Sequence, residues 1–584
     1  MVSAPRTQAL LSIALLLCLH PPALRAQRVS GGEISTSQEQ ALPSVLRVES
    51  NLVTVRVVVR DKRGRAMGGL KREDFALFDN SKAQVITHFS VEHRGAPPAT
   101  APIAAPGETS TVAQPREAKP AQPSPERFLA LLFDDLHAEQ GDLNQVSAAA
   151  EQYLSMALRT GERVGVFTTS GHGELDFTND LSRLDTAIKS LVPRPRHESR
   201  PCPPISGYQA YLITEMNDPT AMDLALSLMI NQCATLPKEG AAHMGSALVH
   251  YVQAKAHQVL QESEVDARQT FDGFSRVVEH LSERPGERTL LLASPGFYDR
   301  TVDYALDPVI DRAMRERIVV SALNTTGLLN VPLFSADKRG IPIGARLADG
   351  IRIWQENMAA NEEPLAALVE ATGGDFFHNN NDYLAGFRQI AEPPEVLYHL
   401  AFTPSEIKYD GKFHEIKVKL ANPGGFSVQA RRGYFALREP LTENQQAEMQ
   451  IRQAIFSTAE SKTVPVTLST SFFKLEPQKA RVTLRVRVDP RALAFRDDQG
   501  RKVDELRITA VVFDNSGRLV DGKQKNVKMR FDEPGLAKLL ELPGGVQASV
   551  NLDLAPGNYR LREIVLDSNS GNLGTINQAL EIPY

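Results

Sequence analysis

The chain has 584 residues and a formal net charge of −5, with acids and bases interspersed, so no basic face is expected and nucleic-acid binding is disfavoured. Its three cysteines are too few for a disulfide-built scaffold. Packing must supply the core, over about three or four domains of ~150 residues each.

Arg6 precedes Leu10–Leu19 (LLSIALLLCL), a short apolar core, and Leu24-Arg25-Ala26 offers a small-residue cleavage site. This reads as a signal peptide over residues 1–26, its core too short for the ~20 apolar residues that span a bilayer. No later stretch is long and apolar enough to cross. The mature chain is therefore expected to be periplasmic, secreted or associated with the outer surface, with no transmembrane segment. Export puts Cys202 and Cys233 in oxidising surroundings.

Gln27–Pro43 is polar and expected to be loose. Asn51–Arg60 (NLVTVRVVVR) alternates as a half-buried strand, and Phe75–Asp79 and Gln84–Ser90 are shorter strands around the Asn80-Ser81 turn. From His93 to Glu126, Pro, Ala, Thr and Ser dominate, so 93–126 is read as an extended linker. In Arg127–Asp135 (RFLALLFDD) the run Phe128 to Leu132 does not alternate, reaches Phe133 and stops at Asp134 and Asp135. An unalternating apolar run capped by acids marks a central strand of a parallel sheet, with a ligand crevice beyond the strand ends.

Arg163–Thr169, Thr289–Ser294, Arg317–Leu323 and Asp375–His378 read as further strands. Helices are expected over Val146–Leu158, Leu181–Leu191, Gln209–Asn231, Ala241–Leu281, Ile353–Thr372 and Asp382–Ile390. That alternation requires a doubly wound, Rossmann-type α/β domain over 127–393, a parallel sheet between two helical layers. Period two returns in Glu395–Phe402, Phe413–Leu420 and Gly425–Phe435. Three strands alone make a poor core, so 46–92 and 394–436 are read as one β-sandwich split by the inserted α/β domain. Residues 437–462 form a charged linker with a helix from Thr442 to Phe456. Seven short strands between Thr463 and Ile582, punctuated by Gly, Pro, Asn and Asp turns, make 463–584 an immunoglobulin- or fibronectin-like β-sandwich.

Together these stretches resemble the von Willebrand factor A (vWA)-related proteins of Acidobacteria, which are exported and of unknown function. The likeness is carried by Asn51–Gly64 (NLVTVRVVVRDKRG), Gly69–Phe78 (GLKREDFALF), Leu131–Leu136 (LLFDDL), Phe177–Leu184 (FTNDLSRL), Leu291–Phe297 (LLASPGF) and Arg431–Tyr434 (RRGY). It implies a vWA-like domain that binds one Mg²⁺ or Ca²⁺ at the C-terminal end of the sheet. The ligands are Asp-x-Ser-x-Ser, a threonine from a second loop and an aspartate from a third. A partner protein's carboxylate takes the open position on the ion.

The chain departs from that pattern. Counted from Asp134, the serine positions hold Leu136 and Ala138; counted from Asp135, they hold His137 and Glu139. The third loop reads Ala293-Ser294-Pro295-Gly296, and Ser206 stands where the threonine is expected. The candidate metal ligands are thus Asp134, Asp135 and Ser206, with Glu139 and Asp142 as nearby oxygen donors. The alternative is that no metal binds, that Asp135 orients its loop, and that Thr178 or Asn179 caps the helix at Leu181. Two adjacent carboxylates repel, so a cation, an arginine or solvent must compensate them. His137 is read as a surface residue.

Cys202 and Cys233 bracket an irregular segment and are expected to form a disulfide, worth ~3–4 kcal/mol by loop closure, with two buried free thiols as the alternative. Between them Tyr208, Tyr211, Leu212, Ile213 and Met216 make either a recognition surface or ordinary core. Enzyme activity is not expected. Ser294 lies in Leu-Ala-Ser-Pro-Gly rather than Gly-x-Ser-x-Gly, and no HExxH, Walker loop or dinucleotide fingerprint occurs. The chain reads as an exported adhesion-type protein that binds a protein or peptide ligand. The other reading is a metal-independent structural component of an envelope assembly.

Overall fold

A computed structural model describes residues 27–29, 31–42, 53–93, 127–159, 161–196, 202–233, 245–328, 345–406, 408–476 and 478–583. The expected signal peptide and, beyond His93, the expected linker lie outside those residues.

A six-stranded sheet forms the centre, in the order Leu175–Thr178, Glu162–Thr168, Arg127–Phe133, Glu287–Ser294, Val319–Asn324, Phe376–Phe377. Neighbours are parallel except at Leu175–Thr178, which runs antiparallel to Glu162–Thr168. The wholly parallel sheet expected above is therefore corrected at one edge. Only residues 169–174 join those two strands, far too few for the dozen or more that a parallel crossover needs.

Chain order places Arg127–Phe133 beside Glu287–Ser294, where the winding reverses. This is the switch point at which doubly wound sheets hold their crevice. Both strands lack alternation because both faces are covered. Phe128, Ala130 and Leu132 enter a core shared with the helices Gly245–Ser282, Asp307–Arg315 and Ala345–Thr372. Leu129, Leu131 and Phe133 enter the opposite core, under Gln140–Ala157, Leu181–Lys189 and Tyr383–Ala391. The expected helix Gln209–Asn231 is two, Gly207–Thr214 and Pro219–Leu228, because Asp218-Pro219 starts a new one: the Asp218 side chain accepts from the amides of Thr220 and Ala221.

Strands from both sides of this α/β unit mix in two four-stranded sheets. One runs Ser427–Ala430, Val53–Arg60, Val396–Phe402, His88–His93; the other Gly433–Phe435, Phe413–Leu420, Phe75–Asp79, Lys82–Gln84. Val55, Val57, Leu77, Tyr398 and Phe402 share the core between them. Arg56 of the first sheet reaches Glu287, at the start of the fourth strand of the α/β sheet, at 2.8 Å.

The final region is more than a seven-stranded sandwich. A three-stranded sheet (Val466–Glu476, Lys479–Val488, Val546–Leu554) shares a core with an eight-stranded one. In the larger sheet Gly32–Thr36 pairs with Leu519–Phe531, and Gln27–Val29 and Gln40–Ala41 add further strands. The loose segment expected at Gln27–Pro43 is thus corrected where it is described: Ile34 is 4% exposed, in one core with Val527, Met529 and Phe531. The helix Glu443–Phe456, capped by Thr442, lays Ile451, Ile455 and Phe456 on the other face of that sheet against Val511, Phe513 and Ile564. Among the described residues no helix is long and apolar enough to cross a membrane.

Ile34→Ala is expected to cost about 2–4 kcal/mol. Hydrogen exchange should accelerate along Leu519–Phe531 and stay unchanged in the central sheet. Unchanged exchange along Leu519–Phe531 would show that Gly32–Thr36 is not held there.

Candidate functional site

Asp134 and Asp135 end the Arg127–Phe133 strand at the switch point, 0% and 1% exposed. The loop is pinned by main chain: Asp134 donates to the Ala293 carbonyl at 2.9 Å, and Arg194 donates to the Asp135 carbonyl at 2.6 Å. Carboxylates this deep need donors. Asp134 has the His137 ring at 3.0 Å from each oxygen, the Ser294 hydroxyl at 2.6 Å and the Thr169 hydroxyl at 3.0 Å. Asp135 takes the Ser170 amide at 2.9 Å and the Ser170 hydroxyl at 2.5 Å. The Thr169 hydroxyl is also 3.0 Å from Asp135, and its single proton serves one carboxylate at a time.

Charge settles the rest. Burial pushes the Asp134 carboxyl up, but the His137 charge and the hydrogen bonds from His137, Ser294 and Thr169 leave it below the ordinary range. Burial lowers His137, and Asp134, with Asp266 and Asp135 adding to it, raises the ring above the ordinary imidazole value. Both directions favour the carboxylate–imidazolium form of the pair. His137 stacks on Phe297 with ring centroids 5.4 Å apart, which fixes the ring's orientation. The surface role expected for His137 is corrected: its side chain is only 19% exposed and faces Asp134, while the Arg194 guanidinium lies 3.9 Å from Asp135.

Sequence reasoning placed His137 at the surface, although Asp134 and His137 stand three residues apart, a spacing that a tight turn after a strand brings into contact. It also overlooked Thr169 and Ser170, which follow the neighbouring strand in the place sought for the second loop. Ser206 is elsewhere, at the start of the helix Gly207–Thr214, where its hydroxyl accepts from the Gln209 amide at 3.2 Å. Asp180, rather than Thr178 or Asn179, caps the helix at Leu181, accepting from the amides of Ser182 and Arg183.

A divalent cation requires free oxygen lone pairs and an open face. Here the lone pairs of Asp134 face the His137 ring and two hydroxyl donors, and both carboxylates are closed off from solvent. In this arrangement the residues do not fit the ion that the resemblance implies. A hydrolytic triad does not fit either. The Ser294 hydroxyl donates to Asp134 and accepts from the Gly296 amide at 3.0 Å, so no imidazole stands ready to take its proton.

Over the fourth-strand side of this end lies the insertion. Gly296, at φ +88°, turns the chain after Ser294, and Phe297 donates to the Asn361 carbonyl at 3.1 Å. Tyr298 then joins Tyr208 and Tyr211 in an aromatic cluster with centroids 5.9–6.5 Å apart. Cys202 and Cys233 are disulfide-bonded with their Cα atoms 5.8 Å apart. Tyr208, Leu212 and Ile213 are core, packed with Val252, Ala256 and Tyr298, whereas Met216, 59% exposed, and Tyr251, 49% exposed, face outward.

The ion pair sets a pH window. The depressed Asp134 contributes stability present above the ordinary carboxylate range and lost as pH falls through its folded value. The raised His137 contributes stability present below the ordinary imidazole value and lost as pH rises through its folded value. His137→Gln should cost about 3–5 kcal/mol near pH 6 and flatten the alkaline limb. Urea unfolding that finds the variant as stable as the parent at that pH would show that the pair does not form.

No protein-family model and no curated protein matches the chain. Among solved structures, an aerotolerance-related membrane protein from Bacteroides fragilis is 11% identical, covering 45% of this chain and 96% of that one at a TM-score of 0.21. BatB, a conserved hypothetical protein from Bacteroides thetaiotaomicron, is 12% identical over 45% and 97%, at 0.19. The ArnB paralog VWA2 from Sulfolobus acidocaldarius is 9% identical over 94% and 75%, at 0.21. At such scores these likenesses assign neither family nor function, and the doubly wound fold stands on its own strand order.

Proposed function

We propose that this protein is an exported interaction protein whose vWA-like domain binds a protein partner without a metal ion, with the β-units on either side as its scaffold. The observation that carries this reading is the closed switch point: His137, Thr169, Ser170 and Ser294 satisfy Asp134 and Asp135, both at most 1% exposed. An adhesion site that works through an ion needs that end open. What remains accessible beside it is the disulfide-stapled segment Cys202–Cys233 with Met216 outward, and Tyr251 on the helix Gly245–Ser282, its hydroxyl 3.4 Å from the Cys202 carbonyl. Exposed aromatic and methionine side chains on a rigid support suit protein recognition. No reaction is assigned, since Ser294 lacks a base.

Calorimetric titration of Mg²⁺, Ca²⁺ and Mn²⁺ into the mature chain tests the metal half. No saturable binding is expected, and saturable binding lost in Asp134→Asn would overturn it. Site-specific photo-crosslinking from positions 216 and 251 in envelope extracts tests the other half. Adducts should form at both positions and persist in chelator; a chain that forms none at either position is not using this surface.

A further inference from the structure

The hairpin of the three-stranded sheet, Val466–Glu476 and Lys479–Val488, has no part in the switch point. Backbone pairing continues to Glu476 opposite Lys479, so its end is formed structure. Every described residue from Ser471 to Lys479 is exposed. Phe472, Phe473 and Leu475 are 46%, 53% and 45% exposed. Side chains alternate along a strand, so Phe472 lies on the face of its partner Val482 and Phe473 on the opposite face with Arg481. A flat groove on another protein covers one such face. A medium that surrounds the tip covers both.

Charge points the same way. Within Val466–Val488 there are five basic side chains, Lys474, Lys479, Arg481, Arg485 and Arg487, against the single acid Glu476, in a chain of net charge −5. Lys479, Arg481, Arg485 and Arg487 share the face turned away from the core. Asp553 holds Arg481 at 2.8 Å and lies 3.6 Å from Lys479. Arg485 stands between Ser469 and Ser549, and Arg487 between Thr467 and Gln547, so both neighbouring strands are neutral there. Arg485 and Arg487 follow Arg481, the partner of Phe473, by four and six residues on the outward face, about 13 and 20 Å behind the apolar tip, and among the described residues neither has an acid within ion-pair distance. Cations set back from an apolar tip match a surface that is negative outside and apolar within.

We propose that this hairpin docks the protein onto an anionic phospholipid bilayer. Phe472, Phe473 and Leu475 enter the boundary between headgroups and acyl chains, and Arg485 and Arg487 meet lipid phosphates. Each basic side chain near such a surface contributes roughly fivefold in affinity. The proposal is independent of the partner-binding reading above.

The test mixes the chain lacking residues 1–26 with vesicles of phosphatidylglycerol and phosphatidylcholine, and with vesicles of phosphatidylcholine alone. Co-sedimentation should occur with the anionic vesicles only and weaken with salt. Arg485→Glu with Arg487→Glu should weaken it more than about tenfold. Phe472→Ser with Phe473→Ser should abolish it. All four side chains are exposed, so both variants should keep the parent circular dichroism. No binding to anionic vesicles, or equal binding by the parent and both variants, overturns the proposal. So does a hairpin that leaves vesicles unbound and instead captures an envelope protein, with capture lost in the same variants.

Discussion

A carboxylate withdrawn wholly from water must be matched by charge and donors, and the centre of this protein is arranged around one such match, Asp134 with His137. The pair lies beyond the ends of the neighbouring strands Arg127–Phe133 and Glu287–Ser294, so whatever satisfies Asp134 also joins the loops that leave that point. Thr169 ties in the loop of the second strand, and Ser294 that of the fourth. Removing one partner of a buried pair leaves an uncompensated charge, which is why such pairs bind their surroundings tightly even where their net contribution is small. The His137 ring thus engages both oxygens of Asp134, one of the carboxylates that the resemblance to vWA proteins would give to a metal ion.

Around that centre, distant segments of the chain complete one another. Val53–Arg60 has Ser427–Ala430 on one side and Val396–Phe402 on the other, with the entire α/β unit between them in sequence. Gly32–Thr36 completes a sheet built from the last part of the chain. Such pairings are indifferent to sequence separation, because a strand edge offers the same amides and carbonyls to any partner. They place Gly32–Thr36 and Leu573–Ile582 in one sheet.

The doubly wound fold was legible in RFLALLFDD and its companion runs because burial on both faces removes polar positions from a strand. The helix from Thr442 to Phe456 and the Cys202–Cys233 bridge were legible as well. The edge strand Leu175–Thr178 was not, being short and only half apolar. Nor was the helix Asp307–Arg315, whose buried Val309, Ile310, Ala313 and Met314 sit among charged residues.

The sequence by itself determined that two acids would end the central strand, that they would require compensation, and which stretches could pack as helix or strand. Periodicity and charge are local properties, written along the chain. Tertiary structure alone decided what compensates those acids. The His137 ring is raised because Asp134 outweighs the burial that lowers it, Thr169 and Ser294 became donors because three loops converge, and Ser206 became a helix cap because its segment folds elsewhere. Thr169 and Ser294 reach Asp134 across 35 and 160 residues of sequence, a convergence that no local pattern encodes.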